Sequence, residues 1–259
     1  MIQGHQALRR LRGVCLAALM TASAFGLLAP AASSAASISV NGVVTCASGD
    51  VQGVWIQSSK GGSKFASWQK MKTSARYASY STSLITNVPT KLQLRVGCGG
   101  KPSKWGSTSY SPQSRSISGS ATLNAFCDAK GKCNWPATGT KASGNLGIPK
   151  YCTWGAYDQW RKYTGYYPTI TGNASAWPAK AKSHGWTVTS VPMPKGMVVM
   201  STSGAGHVGW VNSVSVSSSG AVSLSITEMN YDGSASKATG RVRTKTYSAN
   251  SAYRYIPAP

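Results

Sequence analysis

Between residues 37 and 110 the apolar positions fall in short runs, at 38–44, 51–56, 80–85 and 91–96, separated by Gly and Ser. Alternation of this kind puts successive side chains on opposite faces of a strand, and no helical period competes with it, so the segment reads as a small all-β domain. The serine-rich stretch that follows has a single proline and no acidic residue between positions 106 and 120, and is expected to be an exposed linker over 111–124. Beyond it the period changes. Trp154, Tyr157 and Trp160 recur every three residues with Ala156 among them and Gly165 as a stop, which predicts a helix over 152–163 with an aromatic face. A second helical piece runs through Trp177, Ala181 and His184 to Gly185, and Pro178 fits it only as a start or a kink. Strands are then expected at 196–200, 207–216, 222–231, 241–247 and 253–256, so residues 125–259 form an α+β domain with an antiparallel sheet.

The first 36 residues stand apart. Arg9, Arg10 and Arg12 precede an uncharged run over 14–29, and Ser34-Ala35-Ala36 offers a small-residue cut, the layout of a secretory signal peptide. A spanning helix is the alternative, but it needs about 20 strongly apolar residues, and this run is shorter and ends at Pro30. Without that segment the chain keeps 24 basic and 5 acidic residues, a formal charge of +19. Such a surface is drawn to polyanions, and export points to wall polymers, anionic lipid or polysaccharide rather than nucleic acid. Solubility alone is the competing reading of the charge. The mature protein is expected to be secreted, monomeric and without stable membrane insertion.

Cys15 leaves with the signal, and Cys46, Cys98, Cys127, Cys133 and Cys152 remain, an odd set. Cys127 and Cys133 bracket a turn-rich loop, and Cys46 and Cys98 follow strand-like runs, so these pairs are expected as disulfides among three arithmetically possible pairings. Cys152 is then a free thiol: a nucleophile, an inert buried cysteine or half of an intermolecular bridge.

A cysteine nucleophile needs a lowered thiol pKa, a base in reach and a third group that orients the base. Cys152 stands where the predicted helix begins, so unpaired N–H groups and the helix dipole favour its thiolate. His184 lies in the last turn of a helix, where histidine is favourable for ordinary reasons. His207 opens a strand after the Gly-rich segment 203–206, and Glu228 and Asn230 lie two apart in the next strand. A turn centred between Ser218 and Ser219 sets Gly209 opposite Glu228 and His207 opposite Asn230, placing all three polar side chains on one face. A slip of one residue would break that arrangement. Glu228 is the only glutamate in the chain, and a half-buried carboxylate needs a partner such as a His207 imidazolium.

Taken in order, Tyr151-Cys152-Thr153-Trp154-Gly155-Ala156, Gly172-Asn173-Ala174 with Trp177, Gly185-Trp186-Thr187-Val188, Pro194-Lys195-Gly196-Met197-Val198-Val199, Gly206-His207-Val208 and Thr227-Glu228-Met229-Asn230-Tyr231 resemble the CHAP amidohydrolase/peptidase family over about residues 125–259. The resemblance implies a papain-like fold, with the cysteine on a helix packed against an antiparallel sheet that bears the histidine. It implies cleavage of peptidoglycan amide bonds, by an N-acetylmuramoyl-L-alanine amidase or a stem or cross-bridge endopeptidase. Carried across, Cys152 is the nucleophile, His207 the general base, Glu228 its orienting partner and Asn230 a second polar residue of the site. The family often has Gly-Gln before the cysteine, where Lys150-Tyr151 stands here, so the expected oxyanion donor is the Cys152 N–H, with the second donor open and the Tyr151 hydroxyl a candidate for it. Trp210 and Tyr231 are candidate walls for substrate; Trp154 and Trp177 fit the core better. No metal-ligand spacing, phosphate loop or cofactor motif occurs, and none is expected. The alternative from another class is a non-catalytic wall-binding protein on a hydrolase fold.

Overall fold

The computed structural model describes residues 35–110, 114–128, 130–201, 203–234 and 236–259. All but the last two residues of the expected signal peptide, and residues 111–113 of the expected linker, lie outside the described residues.

Six strands come first: β1 (Ala36–Cys46), β2 (Val51–Ser58), β3 (Ser63–Met71), β4 (Ser74–Thr86), β5 (Thr90–Lys101) and β6 (Lys104–Tyr110). Alternation builds them. In β5, Leu92, Leu94 and Val96 are buried while Lys91, Gln93 and Arg95 between them are exposed or half-buried. Strands β3 and β6 escaped the sequence reading because they carry few apolar positions, and backbone pairing to β2, β4 and β5 holds them instead. Four short strands, β7 (Arg115–Ile117), β8 (Ala121–Thr122), β9 (Ala125–Cys127) and β10 (Cys133–Asn134), join the same sheet. Its order is β10-β9-β1-β4-β3-β2-β5-β6, with β7 on β5 and β8 on β1. Part of the serine-rich stretch is therefore strand, because Ile117, Ala121 and Leu123 have an apolar core to join.

The structure pairs Cys46 with Cys98 and Cys127 with Cys133. β1 and β5 are separated by three strands in the sheet order, yet the Cα atoms of Cys46 and Cys98 lie 5.7 Å apart. The sheet must curl to bring them together. Cys127 and Cys133 are a directly opposed pair of β9 and β10.

The rest of the chain is a mixed, sheet-rich arrangement with two α-helices. β11 (Lys141–Ala142) pairs with β12 (Tyr167–Pro168), and α1 (Cys152–Thr164) lies between them in sequence. A 3-10 turn at Ala174–Ala176 leads into α2 (Trp177–Ser183), where Pro178 sits in the first turn as a helix start. α1 ends on Gly165, whose φ of 84° closes the last turn through its N–H to the Arg161 carbonyl. Strands β13 (Gly196–Ser201), β14 (His207–Val216), β15 (Val222–Met229), β16 (Val242–Ser248) and β17 (Arg254–Pro257) form an antiparallel sheet of order β16-β15-β14-β13-β17.

This second sheet is apolar on both faces. Met197, Val199, Val208, Trp210 and Ile256 share a cluster with Ala156, Tyr157 and Trp160 of α1. The alternate residues Val198, Val211, Leu224, Ile226 and Tyr255 cluster with Val43 and Met71 of the first sheet. Burial on both sides fixes the strands that carry the polar site at their end. Trp160 is fully buried, and its truncation to Ala is worth about 3–5 kcal/mol.

The two disulfides differ in the loop they close. Replacing Cys46 and Cys98 together by Ala should lower the unfolding free energy by about 4 kcal/mol, and replacing Cys127 and Cys133 by about 2 kcal/mol, from loop-closure entropy. Urea titration of the two double variants measures both. Equal losses would contradict that origin.

Candidate active site

Cys152 is the first residue of α1. Tyr151 precedes it as an extended N-cap with no side-chain cap, so the first-turn N–H groups are left to act on the thiol. Lys150 adopts a left-handed φ of 72° to turn the chain into the helix. Gly155, one turn along, lets α1 close on β15: a Cβ there would lie 2.6 Å from the Met229 Cβ. That close approach sets the helix N-terminus beside the sheet end where His207 stands.

His207 opens β14 after Gly206, whose φ is 72° and whose added Cβ would meet the Ser175 nitrogen at 2.3 Å. Ser175 anchors this loop by donating its N–H to Ala205 O at 3.2 Å and its hydroxyl to Gly204 O at 2.7 Å. Met200 is an extra residue on β13, a bulge that pairs Ser201 with His207 and re-aims the strand end. Gly209 faces Glu228 across β14 and β15. The turn between those strands is centred on Ser219, half a residue beyond the expected point, and an extra residue at Asn212 restores the register. Asn212 holds its place by donating to Thr227 Oγ1 at 3.0 Å.

Three side chains meet in line. His207 Nε2 lies 2.7 Å from Glu228 Oε2, which leaves Nδ1 for the Cys152 thiol. The other carboxylate oxygen, Oε1, accepts from Arg243 Nε at 2.8 Å and from the Tyr247 hydroxyl, while Arg243 also donates to Tyr247 at 2.9 Å. Burial alone would push the Cys152 thiol up, but the His207 hydrogen bond and charge, with backbone hydrogen bonds from Val208 and Thr153, bring it below its ordinary value. Burial would push His207 down, and its hydrogen bonds to Cys152 and Glu228 raise it to about 9. A lowered thiol beside a raised imidazole favours the thiolate–imidazolium form of the pair. Glu228 is only 3 % exposed, which favours its neutral form, yet the donors His207, Tyr247 and Arg243 hold its pKa down to about 2.

Residues 143–230 match the family model of the CHAP domain. The chain carries a CHAP domain. The staphylococcal secretory antigen SsaA of Staphylococcus epidermidis is 34% identical over 116 residues, which cover 44% of this chain and 41% of that protein. SsaA of Staphylococcus aureus strain NCTC 8325 is 34% identical over 148 residues, 57% of this chain and 52% of that protein. The chain thus spans about half the length of the curated relatives it matches. A crystal structure of N-acetylmuramoyl-L-alanine amidase from Staphylococcus aureus is similar at 24% identity over 42% of this chain and 31% of that one, with a TM-score of 0.36.

Within the CHAP domain, Cys152, His207 and Glu228 line a cleft of about 700 Å³ together with Tyr151, Asn230 and Tyr231. Tyr231 lies under the Arg243 guanidinium, 3.9 Å from ring centre to carbon. Asn230 lines this cleft and is held from the loop beyond β15. It sits just past β15 at a left-handed φ of 58°, and its Oδ1 accepts from Thr239 N at 2.7 Å and from the Thr239 hydroxyl at 3.2 Å. Its carboxamide oxygen thus ties down the loop from β15 to β16 rather than meeting His207. Trp210 is a correction: it is buried in the core beside Trp160 and Tyr163 and does not line the cleft, because its position in β14 faces α1. His184 caps the end of α2, away from the cleft.

Arg243 and Tyr247 were missed by the sequence reading. Both lie beyond the matched stretch, on β16, where Arg243 is directly opposite Glu228 and Tyr247 is on the same face four residues later. The signal was present in outline: a lone buried glutamate with one histidine partner still has an oxygen to satisfy. Among the described residues no three His, Cys, Asp or Glu side chains form a metal-sized group.

The ion pair fixes a pH dependence. Iodoacetamide labelling of Cys152 should titrate below the ordinary thiol value of about 8.5, and His207→Ala should raise it, because the hydrogen bond and charge that offset burial are then lost. Mass-spectrometric rates across pH measure it; an ordinary thiol titration in the unmodified protein would contradict the pairing.

Proposed function

We propose that this protein is a secreted peptidoglycan hydrolase of papain-like architecture, in which Cys152 cuts an amide bond with His207 as acid and base and Glu228 as its holder. The observation that carries this reading is the hydrogen-bonded line from the thiol through His207 to Glu228 at the mouth of an open cleft. The match to the CHAP domain and the similarity to secreted antigens support it.

The Cys152 thiolate attacks the amide carbonyl carbon, and the carbonyl π electrons move onto oxygen. The Cys152 N–H at the uncapped start of α1 is placed to donate to that oxyanion, with Tyr151 beside it in the cleft. Collapse of the intermediate breaks the C–N bond, and the leaving amine takes the proton from His207 Nδ1. A thioester remains. Water then gives its proton to the now neutral imidazole and attacks the thioester, releasing the carboxylate product and restoring the ion pair. Glu228 stays ionised through both halves, and Arg243 with Tyr247 fixes its orientation so that Oε2 points at the imidazole.

The N-terminal sheet is proposed as a wall-binding module ahead of the catalytic domain, and the surface charge as the attraction that concentrates the enzyme on anionic polymer. Each of the five acidic residues is engaged locally: Asp50 with Lys70, Asp128 with its own loop, Asp158 with Asn145, Glu228 in the site and Asp232 with Arg241. Most lysines and arginines are therefore unneutralised, and their field is screened over about 8 Å at physiological ionic strength.

Cys152→Ala and His207→Ala should each abolish nearly all release of new termini from purified walls, and the double variant should be no worse, because the two act as one unit. Glu228→Gln should retain more activity, and its alkaline limb should move down from about 9, since the imidazolium loses its charged partner. Mass spectrometry of the released fragments reads out the bond: free sugar chains with intact stems mean amidase, cut stems or bridges mean endopeptidase. No fragment from any wall type, with folded protein and a reactive thiol, would overturn the proposal. It would support a binding protein instead, the reading favoured by Lys150-Tyr151 ahead of the cysteine.

A further inference from the structure

The first sheet carries an aromatic cluster that the catalytic site does not use. Phe65 of β3, Trp55 of β2 and Arg95 of β5 stand directly opposite one another on three neighbouring strands, so their side chains form one row. The Trp55 and Phe65 rings meet edge to face at 4.6 Å, and Phe65 and Trp105 do so at 6.0 Å. Phe65 is 56% exposed.

Trp105 of β6 lies across two opposed glycines. A Cβ at Gly97 would fall 2.1 Å from its Cδ2, and one at Gly53 2.7 Å from its Cζ2. Glycine weakens a strand interior, and two of them under one ring mark a place where a ring is seated close to the backbone. The recess these rings enclose is about 510 Å³ and is completed by Pro102, Ser103 and Thr108. It contains no Leu, Ile, Val or Met and no carboxylate. The hairpin at its rim adds Lys101 and Lys104.

We propose that Trp55, Phe65 and Trp105 form a platform for an acidic glycan strand, with sugar rings lying on the aromatic faces and carboxylates meeting Arg95 and the lysines of the rim. Ring faces mixed with hydroxyl and guanidinium donors suit a pyranose, which presents C–H groups on its faces and hydroxyls at its edge. A partner protein seeking an apolar surface would meet aliphatic side chains, and none is there. The positive rim selects an anionic strand over a neutral one. Naming the strand as the glycan of the wall rests on the hydrolase reading above; the site itself does not.

The test uses the full chain carrying Cys152→Ala, so that binding is read without hydrolysis. The probes are peptide-free strands of alternating N-acetylglucosamine and N-acetylmuramic acid, the neutral N-acetylglucosamine hexamer, and polyglutamate. Tryptophan fluorescence titration should show the strands binding most tightly and the hexamer more weakly. Phe65→Ala and Trp55→Ala should each weaken strand binding about tenfold while leaving polyglutamate binding unchanged. Phe65 is exposed, so its truncation leaves the core intact. Should Trp55→Ala fail to fold, protection of Trp55 and Trp105 from N-bromosuccinimide oxidation by the strands reads the same contact in the unmutated platform. No protection, equal binding by the Phe65→Ala variant, or loss of self-association in that variant in place of a change in strand binding would overturn the platform. Strand binding together with no release of wall fragments by the protein that keeps Cys152 would sink the hydrolase reading and leave this one standing.

Discussion

A carboxylate removed from water is stable only if donors replace the water, and Glu228 is surrounded by three of them. Arg243 and Tyr247 occupy one oxygen, which leaves the other with a single direction in which to act, toward His207. The imidazole is thereby held with Nδ1 at the thiol, and the proton it carries is stabilised from both sides. Remove the carboxylate and His207 keeps only the Cys152 hydrogen bond and charge to oppose burial, so its pKa falls. The chemistry proposed for the cleft depends on the Cys152–His207 pair, and the buried carboxylate supports that pair from behind.

The fold serves this contact through close approach. α1 comes down on β15 at Gly155, the loop ahead of His207 closes on Ser175 at Gly206, and Ile226 packs onto Gly209, where a Cβ would lie 2.5 Å from its Cγ2. The bulges at Met200 and Asn212 adjust two strand registers so that His207 and Glu228 arrive on one face at one level. Behind them, apolar packing on both faces of the sheet keeps the strand ends from shifting. Precision at the polar end comes from rigidity at the apolar one.

Much of this was legible in the sequence because local signals agreed with tertiary demands. The aromatic period gave α1, the odd cysteine count pointed to Cys152, and the lone glutamate two positions from Asn230 pointed to the partner of His207. Gly209 stands opposite Glu228 as the turn residues imply, although the turn is displaced by half a residue and a bulge compensates for it. What could not be read depended on pairing between distant strands. Arg243 and Tyr247 become partners of Glu228 only once β16 lies beside β15. Trp210 faced α1 rather than substrate, and Asn230 turned to Thr239, because strand direction and a left-handed backbone decide side-chain aim and neither is written in residue type. Polar strands such as β6 were silent for a related reason: backbone hydrogen bonds hold them, and those leave no pattern of burial.

The ion pair itself can be observed. Following the imidazole resonances of His207 by NMR across pH measures the charge on the site without any substrate. With Cys152 present the ring should titrate near 9, and in Cys152→Ala it should titrate lower, having lost one of the two partners that hold its proton. A His207 that titrates near the ordinary histidine value of about 6.5, unmoved by loss of the thiol, would contradict the account.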